Sequence, residues 1–311
     1  MKKKATLKDI AALANVSVAT VSYVLNNVPN QTIADHTRES IRQIAKELNY
    51  VPNLAARSLV KQRSGLVGIL LNKTSGLPFW SRNSHMSLVE SLEQLLTGAG
   101  YHTLLVSLIP EAPAMDIIRE RKLEAVFVVD PKDDMFYRIS SNFMEGVPVI
   151  LLNSRIEDPL FNQVNYNYPL ALEYAAAAST APPCLIMEQF HNAALTEWIA
   201  VNSRLSRQYI YEVSNESGSS EALEQFIQMN NDRHFIIINE FLAAVIAKII
   251  PASRLTVLCT CGLPEIVPNG IRTVTFRNNR AETAFEVMQA LGSGDSLPLA
   301  GANQFLVDVA T

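Results

Sequence analysis

With 311 residues, 48% hydrophobic and 18% charged, the chain has an ordinary globular composition and room for a small head plus a body of about 240 residues in one or two domains. It contains no run of 18 or more apolar residues, so no transmembrane helix is expected, and its three cysteines (Cys184, Cys259 and Cys261) imply no disulfide framework. The charge is uneven: residues 1–64 hold ten Lys/Arg against four acids, a formal +6, whereas residues 65–311 stand at −10 within a total of −4. A basic head drawn to phosphates, on an acidic body that avoids them, suits a modular nucleic-acid binder. The opening MKKKATLKDI makes a poor signal peptide, because Lys8 and Asp9 interrupt any apolar run. A cytoplasmic location is the expectation.

Residues 6–27 (TLKDIAALANVSVATVSYVLNN) read as two short helices joined by a tight turn. Leu7, Ile10, Ala11 and Ala14 form one apolar stripe at helical period, and Val18, Val21, Val24 and Leu25 form another. Thr6 can cap the first helix while Asp9 approaches the same amides, and Asn15 and Ser17 supply a turn and a second N-cap. Ala11, Ala12 and Ala14 permit close helix crossing, and Thr20, Ser22 and Asn26 lie off the stripe. This is the helix-turn-helix layout, whose second helix, here about residues 17–26, enters the DNA major groove. An ordinary helical hairpin is the alternative. Thr37 to Leu48 (TRESIRQIAKEL) predicts a third amphipathic helix with Ile41, Ile44, Ala45 and Leu48 inward. Asn53 to Val60 can form a short helix, marginal by itself in water, or a plain linker.

Beyond it, apolar segments predict strands near 66–71, 103–108, 125–129 and 147–152, then 184–187, 209–213, 235–238, 255–259 and 273–276. Helical segments are expected near 86–96, 115–121 and 136–144, then 170–178, 194–203, 220–229 and 242–249. Such alternation means parallel sheets wrapped by helices, and two runs of it make two doubly wound lobes with a ligand cleft at the strand C-termini.

The pieces TLKDIAALANVSVATVSYVLNN, HTRESIRQIAKELNYVPN, NLAARSL and GLVGILL follow one another almost without a gap over residues 6–71. In this order and spacing they resemble the lactose/galactose repressor family of bacterial transcription regulators, and the likeness continues more faintly to the C-terminus. The resemblance implies an all-α helix-turn-helix head with a hinge helix, then an α/β body of two doubly wound lobes similar to periplasmic sugar-binding proteins. Its divisions would be a DNA-binding domain at 1–52, a hinge at 53–63 and an effector-binding and dimerisation domain at 64–311. The first lobe would take about 64–157 and helix 279–292, the second about 158–277 and 293–311, with three crossings between them.

The resemblance also assigns roles. Val18 and Ala19 fall where the family reads bases, with only apolar contact to offer, for instance to a thymine methyl. Thr20, Ser22 and Asn26 match positions that touch phosphates or base edges, and Thr6 and Ser17 stand at the helix starts. Tyr23 replaces the usual Arg, so the operator should depart from the family consensus at that base pair; packing of Tyr23 on the DNA backbone is the alternative. In the hinge, Ala56 would let two chains approach and Leu59 would wedge into the minor groove, with Asn53 and Arg57 touching backbone or groove edges. The loop VPNQTIADH looks about two residues longer than usual, by comparison with the family.

The effector positions depart further. Leu77-Pro78-Phe79-Trp80 stands for the usual Asn-Pro-Phe-Phe, Asn153-Ser154-Arg155 for Asp-Arg, and Asn239-Glu240 for Asn-Asp. Ala193 and Ala194 stand near the place of a sugar-binding Arg, with Trp198 after it, and Cys259-Thr260-Cys261-Gly262-Leu263 replaces Gly-Phe-Asp-Asp. The candidate effector residues are thus Phe79, Trp80, Asn153, Arg155, Trp198, Asn239 and Glu240. Several hydroxyl-binding groups are missing, which should cost a sugar much of its affinity. Either the effector differs, or the cleft no longer reads a small molecule, or a protein co-regulator such as a phosphocarrier takes its place.

No Gly-rich phosphate loop, HExxH or GxSxG elbow occurs, His36, His85, His102, His191 and His234 are scattered, and Cys259 and Cys261 lack a second pair for zinc. No enzyme, cofactor or metal is expected, and no membrane contact. A ligand-binding protein or enzyme body with an incidental basic head is the alternative from another class. Double-stranded operator DNA is the expected partner. One helix-turn-helix reads few base pairs, so a homodimer on a palindrome is expected, with repression as the family default. The segment FLVDVAT shows no leucine heptad, so tetramerisation by a coiled coil is not expected.

Overall fold

The computed structural model describes residues 5–26, 28, 31–50, 63–72, 77–108, 120–132, 136, 146–213, 219–293 and 303–310. The chain divides into two compact units, Met1–Ser64 and Gly65–Thr311. Hinge residues Asn53, Ala56, Arg57 and Leu59 lie outside the described residues, as do most of the helices expected near 115–121 and 136–144.

The first unit contains α1 (Leu7–Ala14), α2 (Val18–Leu25) and α3 (Asp35–Glu47). Ile10, Ala11, Val21, Val24, Ile41 and Ala45 are buried together, which is where the two helical stripes and the third helix meet. Ala11 has no side chain beyond Cβ, so the helices can approach closely there. Arg38 donates to the carbonyls of Ile33 (3.1 Å) and Gln31 (2.9 Å), pinning the loop that leads into α3.

The second unit holds two all-parallel sheets. The first has the order β2-β1-β3-β4-β5-β11, built from β1 (Leu66–Asn72), β2 (His102–Leu108), β3 (Ala125–Val129), β4 (Val149–Leu152), β5 (Asn162–Tyr166) and β11 (Gln304–Val307). The second has the order β7-β6-β8-β9-β10, from β6 (Pro183–Glu188), β7 (Ile210–Val213), β8 (His234–Ile238), β9 (Leu255–Leu258) and β10 (Arg272–Val274). Around them lie α4 (Phe79–Gly98), α5 (Tyr168–Ala176), α6 (Ala193–Asn202), α7 (Ser219–Met229), α8 (Glu240–Ile246) and α9 (Arg280–Ser293). The central strands β3, β4, β8 and β9 are buried along their whole length, as parallel strands covered on both faces must be. Residues of both lobes, among them Leu92, Phe127, Ile150, Met187, Ile199, Ile236 and Leu258, share one apolar cluster.

Two expectations about the body need correction. Residues 162–166 and 304–307, assigned to the second lobe, are strands of the first-lobe sheet: β5 pairs with β4, and β11 with β5. NQVNY carries no apolar run because two of its buried side chains, Gln163 and Asn165, are polar and alternate with Val164 and Tyr166. Gln163 donates to the Ile156 carbonyl (2.9 Å) and accepts from the Ile156 amide (2.8 Å). In addition, Phe276 does not extend a strand but makes an isolated antiparallel bridge with Val309. That bridge belongs to a junction where the chain passes between lobes after β5 and again after β10, and where the segment after β11 runs back alongside. The Asn167 amide bonds the Val307 carbonyl (2.9 Å), and the Arg277 amide bonds the Asp308 carbonyl (2.9 Å).

Phe127 lies fully buried on a central strand. Phe127→Ala should lower stability by about 3–5 kcal/mol through the transfer and cavity terms, read as a shift of the urea unfolding midpoint at unchanged slope.

Candidate nucleic-acid interface and inter-lobe cleft

The head is fixed by caps at both helix starts. Thr6 accepts from the Asp9 amide (3.4 Å) while its own amide donates to the Asp9 carboxylate (2.8 Å), a complete capping box. Asn15 ends α1 in the left-handed conformation at φ 51°, which Asn tolerates better than most residues, and the chain then turns through 107° into α2. Ser17 caps α2, accepting from the Thr20 amide at 3.0 Å.

With Val21 and Val24 buried, α2 turns the opposite face outward. Val18 is 40% exposed, Tyr23 38%, and Ala19 is exposed beside them. The polar residues of this helix are largely engaged at home. The Ser17 and Thr20 hydroxyls lie 2.9 Å apart, and the Asn26 amide donates to the Ser22 carbonyl (2.8 Å) and hydroxyl (3.2 Å). Among the described residues of the head, Lys8, Arg42, Lys46 and Arg63 add exposed positive charge.

In the body, parallel register aligns the strand ends. Leu71, Val129, Leu152 and Val164 are neighbours across the first sheet, so the next residues, Asn72, Asp130, Asn153 and Asn165, form a polar row at its C-terminal edge. All four are buried. In the second lobe Glu188 ends β6 and Asn239 follows β8. Asp130 (φ 50°), Asn153 (φ 55°) and Asn239 (φ 93°) adopt positive φ, turning the chain sharply out of its strand; this is the backbone region that Asn and Asp enter at least cost.

These rows meet across the lobes. His191 of the second lobe bonds Asp130 of the first through Nδ1 (2.5 Å to Oδ2) and through its amide (3.2 Å to Oδ1), and Nε2 of His85 on α4 lies 3.2 Å from the same Oδ2. Ser81 donates to Glu188 at 2.6 Å, and the Asn239 amide group donates to the other Glu188 oxygen at 3.1 Å. The Arg155 amide donates to Asn192 Oδ1 (2.8 Å), and the Ser87 hydroxyl to the Cys261 carbonyl (3.0 Å). Burial pulls the His85 imidazole down, but its hydrogen bond to Asp130 and the Asp130 charge outweigh this and hold it above its usual value. Burial likewise raises Asp130, and the bonds from His191 and His85 overcome that and keep the carboxyl below its usual range. Desolvation pushes the Tyr166 hydroxyl up to about 12, Arg280 nearby opposing it.

The residues expected to face an effector are brought to this cleft, most of them already engaged. Phe79 meets Phe241 edge-on (5.8 Å), and Trp80 packs on the second-lobe core with its indole N–H unpartnered. Asn153 Oδ1 is buried without a partner. Arg155 bonds Gln304 (2.8 Å) and lies over the Trp198 ring (4.8 Å). Asn239 caps α8, and the fully buried Glu240 accepts from the amides of Cys261 and Leu263, holding the loop after β9. A recess lined by Ser84, Leu88, Tyr166, Cys261 and Arg280 has about 10 Å³, room for roughly one water. Sequence reading missed Asp130, His85, His191, Glu188, Asn192 and Arg280. A signal existed for two of them, a lone acid closing or following the apolar runs AVFVV and CLIM.

A helix-turn-helix head joined in one chain to a two-lobed, doubly wound body defines a class in which a DNA-reading fold accompanies a body of the periplasmic-binding-protein kind. Residues 6–53 match the family model described as bacterial regulatory proteins, lacI family. The chain is 30% identical over 166 residues to the probable HTH-type transcriptional repressor ExuR of Bacillus subtilis (strain 168), covering 52% of this chain and 47% of that protein. To the HTH-type transcriptional regulator GalR of Escherichia coli (strain K12) it is 40% identical over 106 residues, 32% of this chain and 29% of that protein. By these alignments the chain spans about half or less of the length of the curated relatives it matches. In fold it is similar to the lac repressor solved as a dimer bound to operator and the anti-inducer ONPF, with a TM-score of 0.72, 16% identity, and coverage of 99% of this chain and 97% of that one. The match to the lacI family thus covers the head, residues 6–53, and the whole chain shares the fold of the lac repressor. Among the described residues no single helix is long and apolar enough to cross a membrane.

Ser17→Ala should destabilise α2 by about 1 kcal/mol and Ser17→Asp should restore it, read by hydrogen exchange at the first-turn amides of α2.

Proposed function

We propose that this protein is a sequence-specific DNA-binding transcriptional regulator, acting as a repressor, that grips a palindromic operator as a homodimer and is controlled through its body. The observation that carries the reading is α2, a capped helix with Val18, Ala19 and Tyr23 turned outward on a basic head. Val18 and Ala19 reach thymine methyls, Tyr23 contacts the neighbouring base pair or its backbone, and Thr6, Ser17, Thr20, Ser22 and Asn26 position the helix on phosphates. Residues 53–63 would serve as the hinge, with Leu59 as the minor-groove wedge, Ala56 at the chain-to-chain contact, and Asn53 and Arg57 toward the groove edges. The divisions 1–52, 53–63 and 64–311 follow. The protein works in the cytoplasm and is not an enzyme.

The body selects one lobe arrangement, and a ligand that prefers one arrangement changes DNA affinity by that preference. Phe79, Trp80 and Asn153 offer an exposed ring or an unpartnered polar atom to a small-molecule effector. Arg155, Trp198, Asn239 and Glu240 would have to exchange present partners to join them. The second reading, a protein co-regulator in place of a small molecule, is favoured by the partners that Arg155, Asn239 and Glu240 already hold within the protein.

Gel-shift titration against DNA from the upstream region of its own gene tests this reading. Specific binding should fall with salt, log Kobs against log[salt] having a slope near −0.9 per phosphate contacted. Leu59→Ala should cost about 1–3 kcal/mol, and Tyr23→Arg should redirect preference at one base pair toward guanine. Equal affinity for unrelated DNA, with no effect of Leu59→Ala, overturns it. A body that then binds ligand equally well without residues 1–62 would mark a ligand-binding protein instead.

A further inference from the structure

Two imidazoles converge on one buried carboxylate at the contact between lobes. Asp130 and His85 belong to the first lobe, and His191 to the turn between β6 and α6 of the second. The side chains of His85, His191 and Asp130 are only 6%, 11% and 4% exposed. The turn that carries His191 also carries Asn192, bonded to the Arg155 amide, and starts at Glu188, bonded to Ser81. Three points on one five-residue stretch of the second lobe therefore hold the first lobe. We propose that Asp130, His191 and His85 form a proton-controlled latch, which holds the lobes together in mildly acidic solution and loosens them as the solution becomes alkaline.

The argument is one of charge and hydrogen-bond capacity. An ionised carboxylate only accepts, so each imidazole nitrogen facing Asp130 must carry a proton. With both rings neutral the cluster keeps one uncompensated buried negative charge, which is costly; a single added proton cancels it. Glu188 from β6 also acts on His85 and favours that proton, while Arg280 from α9 opposes it. Separating the lobes takes both His191 and the Glu188 charge away from the Asp130–His85 pair, while Arg280 of the first lobe stays, so the open form holds the proton less firmly. Closure thus takes up a proton, and linkage makes closure pH-dependent.

The sign follows from the directions of the shifts. In the closed form His85 is held above its usual 6.5, so the proton that closure takes up is lost as pH rises through that higher value. Asp130 is held below its usual 3.8, so the latch also fails in strong acid, as pH falls from about 3.8 through the lower value. The latch concerns the body alone and stands or falls independently of the DNA-binding reading.

The chain carries its own reporters. Its two tryptophans sit at the lobe contact, Trp80 of α4 against the second-lobe core and Trp198 of α6 under the Arg155 guanidinium. Tryptophan emission and the small-angle scattering radius of the full chain, without DNA, are followed from about pH 5.5 to about pH 9. Above pH 6.5 the emission should move to longer wavelength and the radius should grow, reversibly and together. Asp130→Asn and His191→Ala should abolish the transition. A wild-type protein whose emission and radius stay constant over the range, or variants that keep the full wild-type transition, would sink the latch. Should Asp130→Asn fail to fold by circular dichroism, His191→Ala and His85→Gln decide: loss of the transition in either supports it, and retention in both overturns it.

Discussion

A buried carboxylate has to be paired, and this constraint organises the body. Among the described residues, three acids are withdrawn from water near the strand ends: Asp130, Glu188 and Glu240. Glu240 solves the problem inside its own lobe, accepting from the amides of Cys261 and Leu263. Asp130 and Glu188 do so only in part, through His85 and Asn239. Asp130 takes His191 and Glu188 takes Ser81, each from the opposite lobe. Removing one partner of a buried charge costs several kcal/mol, because the other is left unpaired in a poor solvent for it. Lobe approach is therefore tied to electrostatics and not only to the apolar cluster that both lobes share. The apolar contact is indifferent to protonation, and the polar contact is not.

The same strand ends explain why the cleft is so full. At Asp130, Asn153 and Asn239 the chain leaves its strand at positive φ, a turn that Asn and Asp make with least penalty. The residue types that allow the turn also carry short polar side chains, which remain in the cleft and need partners. Asn239 spends its oxygen on the amides of α8 and its nitrogen on Glu188. Asn72 and Asn153 keep unpaired buried atoms, as do Ser154 Oγ and His85 Nδ1. Backbone geometry and site chemistry are thus set by the same few positions.

The head was legible almost residue by residue. The stripes Leu7/Ile10/Ala11/Ala14 and Val21/Val24/Leu25 describe its core, whereas Val18, read as part of the second stripe, faces outward; the caps at Thr6 and Ser17 are formed, because they follow from local spacing and side-chain reach. Strand positions in the body were legible for the same reason, since central parallel strands are plain apolar runs. NQVNY was not, because Gln163 and Asn165 bury amides that bond the preceding loop, and a polar strand gives no periodic signal. The cleft was least legible. His85, Asp130 and His191 are far apart in sequence, and only the register of two sheets and the placement of α4 bring them within hydrogen-bond distance.

Head and body use polar groups in opposite ways. In the body the polar groups that matter are buried and bonded across a junction, so their energy is coupled to lobe arrangement. In the head they are spent on local geometry: Ser17 with Thr20, and Asn26 with Ser22. What α2 leaves exposed is therefore mainly apolar, Val18 and Ala19, with Tyr23 as an amphipathic exception. In the proposed DNA complex such a face has few hydrogen bonds with which to tell one base pair from another. Methyl contacts, groove shape and the deformability of the hinge site would then carry discrimination, while the basic side chains around the helix supply affinity without sequence. Under the proposed reading such a regulator would depend on correct spacing of two heads more than on any single base contact, and a change of lobe arrangement would act through that spacing.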